Sequence, residues 1–313
     1  MLTQSHLRFL CAEADTLESR VGNTPLLRLA RVTAGLPSTV QVFAKAEWFN
    51  PSGSVKDRPA LNILRTALDN GDVKGRRLLD STSGNMGIAY ATFGAARNVG
   101  VTLAVPGNAS PERLSILRAL GAELILTDPL EGSDGAILEA RRLAAEQPER
   151  YFYANQYDNP ANWQAHYHTT GPEIIAQTDG QVTHFVAGLG TSGTFTGTGR
   201  RLKEYNPSIQ IVAAQPDSPF NGLEGLKHIP TAIKPGIYNE ALADANVAVE
   251  TEAAQAMTLR LASEEGLFVG ISSGAAAVAA LEVARTLNEG IVVTVFPDAG
   301  FKYLSERFWA TIS

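Results

Sequence analysis

Residues 50–64 read NPSGSVKDRPALNIL, a turn of Asn, Pro, Ser and Gly that gives way to an apolar-periodic helix with Lys56 at the junction. Unsatisfied N–H groups and the macrodipole make the start of a helix unfavourable for positive charge. Ser54 and Asp57 form an S-x-x-D capping pattern there, and Pro59 either sits in the first turn or moves the start slightly later. The ordinary reading is a solvated lysine whose stem snorkels outward. The helix end and partial burial favour another: both lower the pKa and leave a free amine, the nucleophile of Schiff-base chemistry.

Three more glycine-rich junctions carry chemistry: STSGNMG at 81–87, GLGTSGTFTG at 188–197 and GISSGAA at 270–276. GLGTSG follows the apolar run THFVA, opens a helix and matches the dinucleotide fingerprint. That fingerprint wants an acidic residue ending the next strand, where IQIVAAQPD places Gln215. The hydroxyls of Thr191, Ser192 and Thr194 around Gly190 and Gly193, with N–H groups at a helix start, suit a compact terminal phosphate better than a bridging pyrophosphate. A purely structural glycine turn is the plain alternative. GISSG fits a serine-hydrolase elbow centred on Ser272, but that fold needs a histidine downstream and the last one is His228. Ser272 otherwise reads as a helix N-cap. A reactive lysine and a phosphate loop together suit an aldehyde cofactor bearing a phosphate, and pyridoxal phosphate fits both.

His166 and His168 lie two apart on a helix and point to different faces, so they do not chelate one metal; His6, His184 and His228 are scattered. No carboxylate pair is spaced for acid–base work, and the Asp and Glu residues read as solvated helix faces or caps.

The elements that must hold these residues alternate. VQVFAKA, RRLLDS, GVTLAVP, AELILTD, RYFYA, THFVAGLG, IQIVAAQP and IVVTVFP are strand-length apolar runs. Between them, 56–70, 85–98, 111–120, 132–147, 160–178, 192–204, 252–264 and 273–288 carry helical spacing. This alternation predicts an α/β fold with parallel sheets, whose ligands bind beyond the carboxyl ends of the strands. The turn-rich stretch 216–240 is too long for a plain connection, and such loops are functional or mobile. At 313 residues the chain suits one large or two medium domains.

A net charge of −6 with cations spread among anions gives no electrostatic hold on nucleic acid or an acidic membrane surface. Cys11 is the single cysteine, there is no signal-peptide core at the N-terminus, and no run approaches a membrane span. These features predict a soluble cytoplasmic protein without structural zinc.

NPSGSVKDR, TSGNMGIA, NQYDNPAN, TTGPEI, GLGTSGTFTG, GISSGAA and DAGFKYLS occur in an order and spacing that resemble the cysteine synthase (O-acetylserine sulfhydrylase) family of pyridoxal-phosphate enzymes. The similarity runs from VGNTPL at 21–26 to the C-terminus, and GLEGLKHIPTAIKPGIY at 222–238 looks like the B-type branch. The resemblance implies two open twisted parallel sheets flanked by helices, the tryptophan-synthase-β-like fold of type II pyridoxal-phosphate enzymes. A smaller mobile domain would span 48–157, and 1–47 with 158–313 would form the larger one.

It also implies roles. Lys56 would hold pyridoxal 5′-phosphate as an internal aldimine and later act as general base, Asn85 would bond the ring hydroxyl oxygen, and Gly190, Thr191, Ser192, Gly193 and Thr194 would cradle the phosphate. Ser272 would meet the pyridine nitrogen, a neutral partner that suits β-elimination more than transamination. Thr82, Ser83, Gly84, Asn85, Met86 and Gln156 would clamp the substrate carboxylate. Sulfide would add to an α-aminoacrylate formed by loss of acetate or phosphate, giving L-cysteine. A homodimer and a serine acetyltransferase partner are implied in the same way.

The chain departs from the family at Met86, where threonine is usual, and at Ser52 and Ser192, where glycine is. Lys227 falls where B-type members often present arginine toward the distal part of the substrate, and it reads equally well as a surface lysine. Rival readings are an O-phosphoserine- or thiosulfate-specific sulfhydrylase, a cystathionine β-synthase, a dehydratase, a non-catalytic partner-binding member and, on 188–193 alone, a nicotinamide enzyme.

Overall fold

A computed structural model describes residues 16–82 and 84–311; His6, Cys11 and Ser83 lie outside the described residues. The eight apolar runs become β2 (Val40–Ala46), β3 (Arg77–Ser81), β4 (Val101–Pro106), β5 (Glu123–Thr127), β6 (Tyr151–Tyr153), β7 (His184–Gly188), β8 (Gln210–Pro216) and β10 (Gly290–Phe296). Two short strands join them, β1 (Leu26–Arg28) and β9 (Ala245–Val249). The helices are α1 (Asp57–Asp69), α2 (Asn85–Arg97), α3 (Pro111–Ala119), α4 (Gly132–Glu146), α5 (Pro160–His168), α6 (Thr170–Gln177), α7 (Gly193–Tyr205), α8 (Thr251–Glu265) and α9 (Ile271–Arg285). The helix predicted over 160–178 is broken at Thr169, which has φ −123° and ψ −68°. Before GISSGAA, the run LFVG at 267–270 forms only a bridge from Val269 to Ala299.

The strands build two sheets. A six-stranded sheet runs β1-β2-β10-β7-β8-β9, and a four-stranded sheet runs β5-β4-β3-β6. All pairings are parallel except β1 with β2. Parallel strands covered on both faces have no solvated side, which is why their sequences are nearly continuous apolar runs.

Alternation still decides which helix each residue meets. In the larger sheet Val186, Val212 and Val292 pack with Leu261, Ala276 and Ala280 of α8 and α9. Their neighbours Phe185, Ile211 and Val293 face Phe195 and Leu202 of α7 and Ile174 of α6. In the smaller sheet Leu78 and Leu103 pack on α1 and α2, and Leu79 and Ala104 on α4. Each such side chain withdrawn from water contributes roughly 1.5–3 kcal/mol, enough to fix register face by face. The carboxyl ends of β2, β3, β7 and β10 then lead into four of the segments that meet at the site.

Candidate active site

After β2 the chain makes a short 3₁₀ turn, Glu47–Phe49, and enters NPSGSVK. Gly53 takes φ +79°, a left-handed conformation that glycine adopts without strain. Val55 donates its N–H to the carbonyl of Pro297 (2.8 Å), pinning this turn to the end of β10. Lys56 is the N-cap residue of α1, in helical geometry and without a side-chain cap. The predicted S-x-x-D capping box does not form. Ser54 Oγ accepts from Lys56 N (3.3 Å), and Asp57 turns back to accept from Ser52 N (2.6 Å) and Ser52 Oγ. Pro59 lies inside the first turn, where its missing N–H costs nothing.

Among the described residues Lys56 Nζ has no hydrogen-bond partner. Burial lowers its pKa, opposed by the charges of Asp298 and Glu47 and reinforced by Lys302. An amine with no partner and a disfavoured proton is the group that the sequence reading placed here.

The turn after β7 lies across the same cleft. Lys56, Asn85, Gly190 and Thr191 line both of its adjoining cavities, and Ser192, Gly193, Thr194 and Ser272 line the second. A Cβ on Gly193 would overlap Asn162 Oδ1, and one on Gly190 would overlap the carbonyl of Gly225, so both positions need glycine for close approach. Ser192 holds φ +68°, a conformation costly for a side-chain-bearing residue, at a position where the resemblance implies glycine. Its Oγ is buried without a partner. Thr191 Oγ1 accepts from Asn162 Nδ2 (3.1 Å).

Beneath the turn, His166 meets Thr170 Oγ1 (2.9 Å) and Thr194 Oγ1 (3.3 Å), and burial pushes its pKa down to about 3. It is a neutral packed ring. Ser272 is not an N-cap; Gly270 is, and Ser272 sits in the first turn of α9 facing the cavity. Gln215, tested against the dinucleotide fingerprint, accepts from Ile229 N (3.1 Å).

The loop after β3 forms the facing wall. Thr82 Oγ1 accepts from Gly84 N and Gly87 N (both 3.1 Å), so it caps α2 and keeps its own proton to donate. Met86 is 3 % exposed, packed in the core while reaching the cavity. Gln156 donates Nε2 to the carbonyl of Ser81 (2.5 Å) and its backbone N–H to Asp80 Oδ2 (3.2 Å). Burial pushes Asp80 up to about 7. Asn85 donates Nδ2 to Asp298 Oδ2 (2.6 Å) and accepts Lys302 Nζ on Oδ1 (2.7 Å).

Lys227 is a buried residue and not a surface one: it donates to Asp134 Oδ1 (2.8 Å) and lies 5.2 Å from the ring centre of Tyr157. Arg113, which the sequence reading left without a role, packs over the ring of Tyr303 and donates to both carboxylate oxygens of Glu224.

The carboxylates depart furthest from expectation. Glu47, Asp57, Asp80 and Asp298 are fully buried, where solvated faces or caps were predicted. Glu47 and Glu173 meet Arg58, and Glu173 also meets Lys45 (2.5 Å), in a buried network behind the lysine turn. Arg58 holds Glu47 down to about 2 against the opposing effect of burial. Glu173 lies 115 positions from Arg58 and 128 from Lys45, pairings invisible in local spacing. Among the described residues no cluster of three or more His, Cys, Asp or Glu could hold a metal ion, and no helix is long and apolar enough to cross a membrane.

A partnerless amine facing a hydroxyl- and N–H-rich helix start, with an orphaned buried Ser192 hydroxyl, fits an aldehyde bearing a phosphate. Comparison with known proteins agrees. The model of the pyridoxal-phosphate dependent enzyme family matches residues 17–298, and the chain belongs to that family. It is 54 % identical to a cysteine synthase of Aquifex aeolicus, covering 95 % of this chain and 92 % of that one. It is 42 % identical to cysteine synthase B of Escherichia coli, covering 93 % and 95 %. Among solved structures, a cysteine synthase of Entamoeba histolytica superposes with a TM-score of 0.91 at 35 % identity, covering 96 % of this chain and 92 % of that one. The cofactor is therefore pyridoxal phosphate, and the nicotinamide reading falls.

Proposed function

We propose that this chain is a cysteine synthase, replacing the β-substituent of O-acetyl-L-serine with sulfide to give L-cysteine. The observation that carries the proposal is the meeting, in one cleft, of Lys56 without a hydrogen-bond partner and the turn Gly190–Thr194. When bound, pyridoxal phosphate draws electrons from the α-carbon of an amino acid, which lets its proton leave and the Cβ–O bond break.

The chain's own residues would do the rest. Lys56 would hold the cofactor, and its amine would take the Cα proton of the substrate and return one to the product. Gly190 to Thr194 receive the phosphate on backbone N–H groups and hydroxyls, and Ser272 offers a neutral partner to the ring nitrogen. Thr82, with its proton free, joins the second N–H of Gln156 Nε2 and the first N–H groups of α2, including that of Met86, in receiving the substrate carboxylate. On the family resemblance Ser83 and Gly84 would also bind that carboxylate. The Cβ–O bond breaks with acetate leaving, and the Cβ–S bond forms from sulfide.

O-Acetyl-L-serine is favoured over O-phospho-L-serine because both cations on the outer wall, Arg113 and Lys227, are already paired with carboxylates. The part of the chain from 48 to 157 would close over the remainder and exclude water. A cytoplasmic homodimer that binds a serine acetyltransferase completes the proposal on the family resemblance.

The test is to load the purified protein with pyridoxal phosphate, offer each donor with sulfide and assay L-cysteine. Borohydride should fix the cofactor on Lys56. Absence of cysteine from O-acetyl-L-serine overturns the proposal.

A further inference from the structure

The two lysines near the cofactor site are in opposite situations. Lys56 Nζ has no partner among the described residues, whereas Lys302 Nζ donates to the carbonyls of Ser52 (3.1 Å) and Gly53 (3.2 Å) and to Asn85 Oδ1 (2.7 Å). An ammonium has three protons, so Lys302 has none left to give. On the other side of the same amide, Asp298 Oδ2 accepts from Asn85 Nδ2 (2.6 Å) and from the hydroxyl of Tyr303 (2.6 Å). Asp298 is fully buried, and its Oδ1 has no partner, packed beside Gly270.

An amide side chain can be turned by 180° at little steric cost, and its neighbours decide which end faces where. Here they leave no choice. An ammonium only donates, so Asn85 must turn its oxygen to Lys302; a carboxylate only accepts, so it must turn its nitrogen to Asp298. Neither Asp298 nor Lys302 lines the cleft, while Asn85 lines both of its cavities. The oxygen and one N–H are consumed by these two residues, and one N–H remains.

We propose that Asp298 and Lys302 are positioning residues that lock Asn85 as a pure donor toward the cofactor's ring hydroxyl oxygen. The inference rests on the pyridoxal-phosphate reading above. A donor held against that oxygen favours its anionic form and so lowers its pKa. Freed from either neighbour, the amide can turn its own oxygen to the cofactor, and the bias is lost. Lys302 has a second effect through the same bonds: it fastens the Ser52–Gly53 turn, three residues before Lys56, to the first residue of α2.

The experiment reads the visible absorbance of the bound cofactor against pH, and its dissociation constant, in the wild type, Lys302→Met and Asp298→Leu. Loss of the oriented donor raises the spectroscopic pKa by about one unit in both variants and weakens cofactor binding about tenfold. The two substitutions remove charges of opposite sign, so a simple field effect would move the pKa up in Lys302→Met and down in Asp298→Leu. Upward shifts in both, with Lys302→Arg returning toward wild type, support the proposal. Opposite shifts, or none, overturn it. If the leucine variant does not fold, the milder Asp298→Asn is read for the same sign. A wild type that takes no borohydride-fixed label at Lys56 overturns the functional reading itself, and this is seen before any variant is made.

Discussion

Glu224 accepts both terminal nitrogens of Arg113, and the pair ties α3 beside the smaller sheet to the connection that follows β8 of the larger one. Burial works against the Arg113 charge, and Glu224 overcomes it so that the pKa rises. Removing the carboxylate takes away the charge that offsets burial of a guanidinium 5 % exposed. Glu224→Ala is expected to cost about 2 kcal/mol of stability by urea denaturation. Arg113→Met should recover part of that loss in the double variant, since no stranded charge remains.

Much of the fold is legible in the chain because the parallel strands are continuous apolar runs and the helices are long. What escapes is short or marginal. β1 has three residues, and β9, ANVAV, is an edge strand built partly of Ala and Asn, which have low strand preference. In the site, Lys56 and Gly190 to Thr194 are legible because backbone turns carry them, and turns are local. Asp298, Lys302, Arg113 and Glu224 gain meaning only from pairings across 213, 217 and 111 positions. Residue type alone makes each of them an ordinary charge.

Lys56→Met should reduce cysteine formation by about a thousandfold or more, as the group assigned both cofactor attachment and proton transfer is gone. Stability should move the other way in the cofactor-free protein. Because burial sets the folded pKa below 10.5, the unfolded chain binds more protons between the two values, and this site's contribution to stability rises with pH across that window. Below the window the cost of the buried ammonium is present in full. The variant is therefore more stable than wild type at neutral pH, and the gain disappears as pH passes 10.5.

Asp80 holds the backbone of Gln156 and of Ser81, and burial raises its pKa from 3.8 to about 7. The folded protein binds more protons than the unfolded chain between those values, so this group's contribution to stability falls as pH rises through the window and stays low above it. Asp80→Asn removes that fall, a difference on the order of 4 kcal/mol between acid and neutral pH. Urea midpoints at pH values on either side of the window should converge in the variant and diverge in wild type.

Met86 reaches the cavity from the core between α1, α2 and the smaller sheet. Threonine there would add a hydroxyl where the proposed reading puts the substrate carboxylate, while leaving a void and a buried polar group behind it. Met86→Thr is expected to lower KM for O-acetyl-L-serine by about three- to tenfold. The same change costs about 2 kcal/mol of stability. Steady-state kinetics and denaturation on one preparation separate the two effects.

Lys227 lines the cleft and, on the proposed reading, would meet an anionic leaving group. Its side chain is 9 % exposed, with the ammonium bonded to Asp134 at the start of α4 and near the ring of Tyr157. While that pair persists, a phosphate must compete with a carboxylate already in place, and an acetyl ester has no such barrier. Asp134→Asn removes the competitor and keeps the cation in the wall, so kcat/KM for O-phospho-L-serine should rise about tenfold relative to O-acetyl-L-serine. In the double variant with Lys227→Met the gain should vanish, because the ammonium and not the new amide meets the phosphate. A preference unchanged by Asp134→Asn would mean that the leaving group never reaches Lys227.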